Sequence, residues 1–146
     1  MFVFVSHSKK MYEFVFQFCC QITDFFAHIF NMTYGEFNVL AFLHIQPITY
    51  IISAGCILSL AVLKKNVQLI IIYAFILLIS ILYFAFLFKT YPISNESFSL
   101  AYNNLHQYAD ILHITYIDIN FLIFIFLFLV MHITNLIVGY RLLKVS

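Results

Sequence analysis

Polar positions are scarce along this chain, and their spacing divides it into elements. In residues 11–32, MYEFVFQFCCQITDFFAHIFNM, the residues Glu13, Gln17, Gln21, Asp24, His28 and Asn31 recur three or four apart. That spacing puts one narrow polar stripe on a helix otherwise covered by Phe, Val, Ile and Cys. Such a helix either lies in the membrane interface with its stripe to water, or crosses the bilayer with the stripe against a protein neighbour. MTYGEFN follows, with a break expected at Gly35. Three long apolar runs come next, at about 39–63, 67–88 and 118–140. Each reaches the roughly 20 residues a helix needs to cross hydrocarbon. Alternation with period two is absent, which argues against a barrel, and a lipid-embedded backbone must then satisfy itself as helix.

Within these runs Pro47 predicts a kink or an irregular opening turn, while Lys89 and Pro92 mark the end of the second crossing. Residues 93–117 are the most polar stretch. Ser94 or Ser97 is expected to cap a helix there. Its apolar face is expected to carry Leu100, Leu105, Tyr108 and Leu112, opposite Asn103, Asn104, His106, Gln107, Asp110 and His113. No internal repeat or low-complexity run stands out. The pattern predicts an all-α integral membrane protein with three transmembrane helices. An N-terminal amphipathic helix precedes them, lying on the membrane or spanning it as a fourth crossing. The division is residues 1–37, an N-terminal extension, and residues 38–146, the three-helix membrane domain.

Composition gives the same class by a different route. The 146 residues are 64% hydrophobic and only 9% charged, whereas a soluble domain carries about a quarter charged residues. Too few charges remain to cover a water-facing surface. Nineteen phenylalanines and ten tyrosines stand beside three glycines, two prolines and no tryptophan. Phe, Ile, Tyr and Asn have A/T-rich codons, so the usage points to an A/T-biased genome such as an organelle's. The start, MFVFVSHSKK, fits neither a secretory signal nor a mitochondrial presequence. A hydrophobic protein made inside the organelle needs neither, so a multi-pass place in the mitochondrial inner membrane is expected.

Charge sets the expected topology. Lys64 and Lys65 lie between crossings one and two, and Arg141 and Lys144 follow crossing three. Positive residues collect on the side from which a membrane chain is inserted, so these four topology-determining residues are expected to share a face. Lys9 and Lys10 join them if the N-terminal helix also spans. The short KKN link also forces crossings one and two to be antiparallel neighbours.

Candidate chemistry is thin. Cys19, Cys20 and Cys56 have no metal or disulfide spacing. Nothing resembles a nucleophile triad, a phosphate loop or a nucleic-acid surface. His44 and His132 are not expected to share a haem, because one sits near a helix end and the other near a helix middle. No cofactor and no metal site are expected. His132, with Asn135 three residues on, is the candidate proton relay: a neutral imidazole avoids the cost of a buried charge and still exchanges protons. Asn135 is expected to share its hydrogen bonds.

The stretch CILSLAVLKKNVQLIII resembles the helix junction of the NADH–ubiquinone oxidoreductase chain 4L family, called NuoK in bacteria. In that family a short basic-basic-Asn turn joins the first two helices; Lys64, Lys65 and Asn66 stand in those positions, and RLLK resembles the family's basic tail. The resemblance covers about residues 40–144. It implies a membrane-arm subunit of respiratory complex I, with no catalytic centre of its own. Other hydrophobic subunits and membrane lipids would be its partners in an obligate hetero-oligomer, with no nucleic acid involved. Phe75 stands where the family carries a glutamate in its second helix, and His132 falls near a second family glutamate. The missing carboxylates favour an alternative, a structural transmembrane subunit of cytochrome oxidase, cytochrome bc1 or ATP synthase.

Overall fold

The computed structural model describes the backbone of residues 2–144 and the side chains of residues 13–144. The side chains of Lys9 and Lys10 therefore lie outside the described residues. In chain order the elements are α1 (Phe2–Ile29), α2 (Tyr34–Asn38), a wide-turned π segment (Val39–Ile45), α3 (Gln46–Leu63), α4 (Val67–Thr90), α5 (Asn95–Leu112), α6 (Tyr116–Asn120), a second π segment (Phe121–Leu127) and α7 (Phe128–Lys144). No strand occurs among the described residues. The protein is an all-α membrane protein: Tyr34–Leu63, Val67–Thr90 and Tyr116–Lys144 are long and apolar enough to cross a membrane. Among the described residues, helix α1 is not one of the helices that reach that apolarity.

The KKN turn is built from caps. Lys64 ends α3, and Lys65 takes the left-handed conformation at φ 54°. The amide of Lys65 donates to the Val62 carbonyl at 3.0 Å and that of Asn66 to the Ala61 carbonyl at 2.9 Å. These two bonds close the helix end in a Schellman arrangement. Asn66 then opens α4, its Oδ1 accepting from the Leu69 amide at 3.1 Å. Three residues thus terminate one helix and start the next.

The same device appears twice more, and it exposes a repeat that no internal repeat had been expected to explain. Asn31 at φ 54° and His113 at φ 55° end α1 and α5. Behind them the Ala27 and Ala109 carbonyls accept from Met32 and Ile114. Thr33 and Thr115 then cap the next helices in reciprocal boxes with Glu36 and Asp118. Asn38 and Asn120 donate from their side chains to the Tyr34 and Tyr116 carbonyls at 2.8 and 2.9 Å. Every pair is 82 residues apart, and TYGEFN aligns with TYIDIN. Each half therefore reads helix, capped bend, π segment, long apolar helix, with α4 between the halves.

The break expected at Gly35 falls instead at Asn31. Gly35 is helical and buried, and a Cβ there would lie 2.5 Å from Asn95 Oδ1 and 3.2 Å from Phe98 Cβ, so its role is close approach. Pro47 sits in the first turn of α3, just past a π segment. The second π segment has no proline, so proline is not the shared cause. What both segments share is the asparagine directly ahead of them, whose side-chain amide competes for a carbonyl of the helical ladder.

The chain forms two compact units, residues 1–40 with 91–126 and residues 41–90 with 127–146. In the first, Phe37 stacks on Phe26 and Phe30, and Thr33 Oγ1 donates to Asn95 Oδ1 at 2.7 Å. Helices α1 and α5 bury small side chains: Thr23 and Ala27 on one, Ser97 and Ala109 on the other. The expected apolar face of α5 is not the one packed against the protein. Leu100, Tyr108 and Leu112 are exposed, because close helix contacts here take small residues and leave large apolar ones to lipid. On α1 the polar stripe at Gln17, Gln21, Asp24 and His28 is exposed as well. In the second unit Ala54, Ile57, Ala61, Tyr73 and Leu142 form the core, flanked by Leu58, Leu69, Ile70, Leu77 and Val138.

Candidate functional site

Helices α3 and α7 run parallel, because facing residues keep one offset. Tyr50 meets His132 with ring centroids 5.9 Å apart, Asn135 bonds Ser53, and a Cβ on Gly139 would come within 2.9 Å of Ile57 Cδ1. Each pair is 82 apart, the repeat interval, so equivalent positions of the two halves face one another across this seam. Ala54 and Ala61, both fully buried, let α4 close on the other side of α3.

One hydrogen-bonded row crosses the three helices. The Tyr73 hydroxyl donates to Asn135 Oδ1 at 3.0 Å. Asn135 Nδ2 donates to Ser53 Oγ at 2.8 Å. The Ser53 hydroxyl donates to the Tyr50 carbonyl at 2.9 Å. Tyr73 and Asn135 are each only 4% exposed, so leaving either unpaired in a lipid-facing bundle would be costly. The row runs one way and ends on a backbone oxygen. An amide donates through nitrogen and accepts through oxygen, and it cannot exchange these roles as a hydroxyl can. This row fixes helix register; it is not built to pass protons.

Asn135 thus shares its hydrogen bonds with Ser53 and Tyr73, and His132 takes a different partner. Its Nδ1 lies 3.1 Å from the Phe128 carbonyl. A carbonyl can only accept, so this contact assigns the hydrogen to Nδ1 and leaves Nε2 as the acceptor nitrogen. The ring stands between Phe128, 4.0 Å away by centroids, and Tyr50. His44 is buried against Phe84 and Phe88. It lies six residues ahead of Tyr50, the residue level with His132, so the two histidines differ in depth as the sequence suggested. Phe75, at the position where the resembled family carries glutamate, is 63% exposed and points away from the seam that Tyr73 enters.

Lys64, Lys65, Arg141 and Lys144 are all exposed at the C-terminal ends of the parallel α3 and α7. Among the described residues no group of three or more His, Cys, Asp or Glu gathers to hold a metal ion. Sequence reasoning missed Ser53 and Tyr73, although each is an isolated polar residue in an apolar run. It also missed the cluster of Tyr102, His106 and Tyr116 in the first unit, where His106 stacks on Tyr116 at 4.4 Å and 8°. No protein-family model, curated protein or solved structure matches this chain.

Proposed function

We propose that this chain is a subunit of a larger inner-membrane respiratory assembly, in the chain 4L position of the complex I membrane arm. The observation that carries membership of an assembly is the exposed stripe of Gln17, Gln21, Asp24 and His28 on a helix whose Phe14, Phe18 and Phe25 are also exposed. A surface that is polar on one side and aromatic on the other is satisfied by a protein neighbour together with lipid. The basic-basic-Asn junction supports the complex I position, since Asn66 caps α4 and makes the tight antiparallel hairpin that position uses. The subunit's part is to complete the membrane arm, with Ser53, Tyr73 and Asn135 holding its three crossings in register. His132 is the group through which it takes part in proton movement.

A second reading keeps the same architecture in cytochrome oxidase, cytochrome bc1 or ATP synthase. It is favoured by Phe75, which puts no carboxylate in the second crossing. Extraction in mild detergent followed by native electrophoresis separates the two. The chain is expected in one high-mass band with NADH dehydrogenase activity. A band with oxidase or ATPase activity supports the second reading. A well-behaved monomer overturns both.

A further inference from the structure

The 82-residue repeat extends back into the helices ahead of each bend. At that interval Gln17 matches Ser99, Gln21 matches Asn103 and His28 matches Asp110, and all of them are exposed. Phe18 matches Leu100, Ile29 matches Ile111 and Phe30 matches Leu112, and these are exposed as well. Ala27 and its counterpart Ala109 are both buried. Three faces of α1 therefore recur on α5: a small inward face, a polar face and a large apolar face. The attachment to the following helix recurs too. Cys20 lies beside the Tyr34 hydroxyl in the first half. Its counterpart Tyr102 lies against Tyr116 in the second, with ring centroids 4.7 Å apart.

The course of the chain decides which of these helices crosses the bilayer. Helices α3 and α7 are parallel, and α4 runs back against α3. The second crossing therefore ends, at Thr90, on the side where the third begins, at Tyr116. A crossing by α5 between them would deliver the chain to the wrong side. We infer that α5 and its counterpart α1 both lie flat in the headgroup region on that side, so α1 is an interfacial helix and not a fourth crossing. The first crossing begins there as well, at Tyr34, and α1 reaches it through the same left-handed corner and threonine cap that follow α5. An upright α1 would carry Gln17, Gln21 and Asp24 into the hydrocarbon, where polar groups are costly. Lying flat, it turns that stripe to water and sinks Phe18, Ile29 and Phe30 into the acyl boundary. In the assembly proposed above, the neighbouring subunit then meets the stripe from the aqueous side. The placement of α1 holds with or without that neighbour.

The test uses the unmodified chain in its native membrane and reads depth from lipid crosslinks. Two photoactivatable phosphatidylcholines serve as probes, one reactive at the headgroup end of its acyl chain and one at the terminal methyl end. Crosslinked residues are mapped by mass spectrometry. Residues 75–82, the middle of α4, are the reference for the bilayer centre and should take the terminal probe. Residues 14–29 and 100–112 are expected to take the headgroup-end probe at least about fivefold more than the terminal one, along their whole length. An upright α1 would instead put residues 17–22 at the bilayer centre, about ten residues of helix from the interface. Terminal-probe labelling of 17–22 equal to that of 75–82 overturns the inference. Absence of label from both probes along 14–29 overturns it too, since the exposed phenylalanines then face protein alone. Assembly membership is read separately, by the mass of the native band, so either result stands without the other.

Discussion

Asn135 is the side chain on which the seam turns, since it touches polar groups on two other helices. Interhelical hydrogen bonds in membranes contribute on average about 0.6 kcal/mol and rarely above about 1.7. Tyr73→Phe removes one such bond and leaves Ser53 paired, so it should lower stability by about 0.6 kcal/mol. Asn135→Leu removes both and leaves two buried hydroxyl groups to repartner, so a loss of about 1–2 kcal/mol is expected. Thermal unfolding of the detergent-solubilised assembly measures both; equal effects from the two variants would contradict the shared-amide geometry. His132→Leu probes the other side of the seam. It is expected to reduce protons pumped per electron while NADH oxidation persists, and His132→Asn distinguishes hydrogen bonding from proton exchange. Normal pumping in an assembled His132→Leu enzyme would make His132 a packing residue.

At the scale of elements, close approach is set by glycine and alanine. A Cβ at Gly35 would crowd Asn95 Oδ1 and the Phe98 Cβ, and the helical backbone on both sides limits retreat. Gly35→Ala should therefore lose about 1–3 kcal/mol, as overpacked interiors do. At Gly139 the only near atom is the mobile end of Ile57, so Gly139→Ala should be nearly neutral and Gly139→Leu should part α3 from α7. Disulfide trapping between Ser53→Cys and Asn135→Cys, with and without the Gly139 change, reads that separation directly. The helix ends give a prediction of opposite sign. His113 holds a left-handed φ of 55° that a residue with a Cβ adopts at a cost. His113→Gly should stabilise the α5 end by about 0.5–1 kcal/mol, measured by slowed proteolysis at that corner.

For the whole molecule, parallel α3 and α7 put the KKN turn and the RLLK tail on one side of the membrane. Cysteines placed singly at Lys65 and Lys144, in a background lacking the native ones, should label from the same face. A cysteine at Lys89, across the α4 crossing, should label from the other. Opposite accessibility of Lys65 and Lys144 would remove the three-crossing arrangement.

The class of protein was legible without coordinates, because transfer into lipid depends on the number and run length of apolar residues, and both are one-dimensional. The three spans accordingly fall where the apolar runs lie, and Ser94, one of two expected caps, does cap α5. A cap is a local bond between residues three apart, so Asn66 and the two Thr boxes were also within reach of sequence. The repeat was harder to read, since its identities are sparse and its constant feature is backbone shape: a left-handed turn, a threonine cap and a π segment. The partners of Asn135 belong wholly to tertiary structure. Ser53 and Tyr73 are 82 and 62 residues away, and only the packing of small residues along α3 determines which polar groups meet across it. Which residues of α1 and α5 turn inward was decided there too: in lipid, hydrophobicity no longer marks the inside, and side-chain size does.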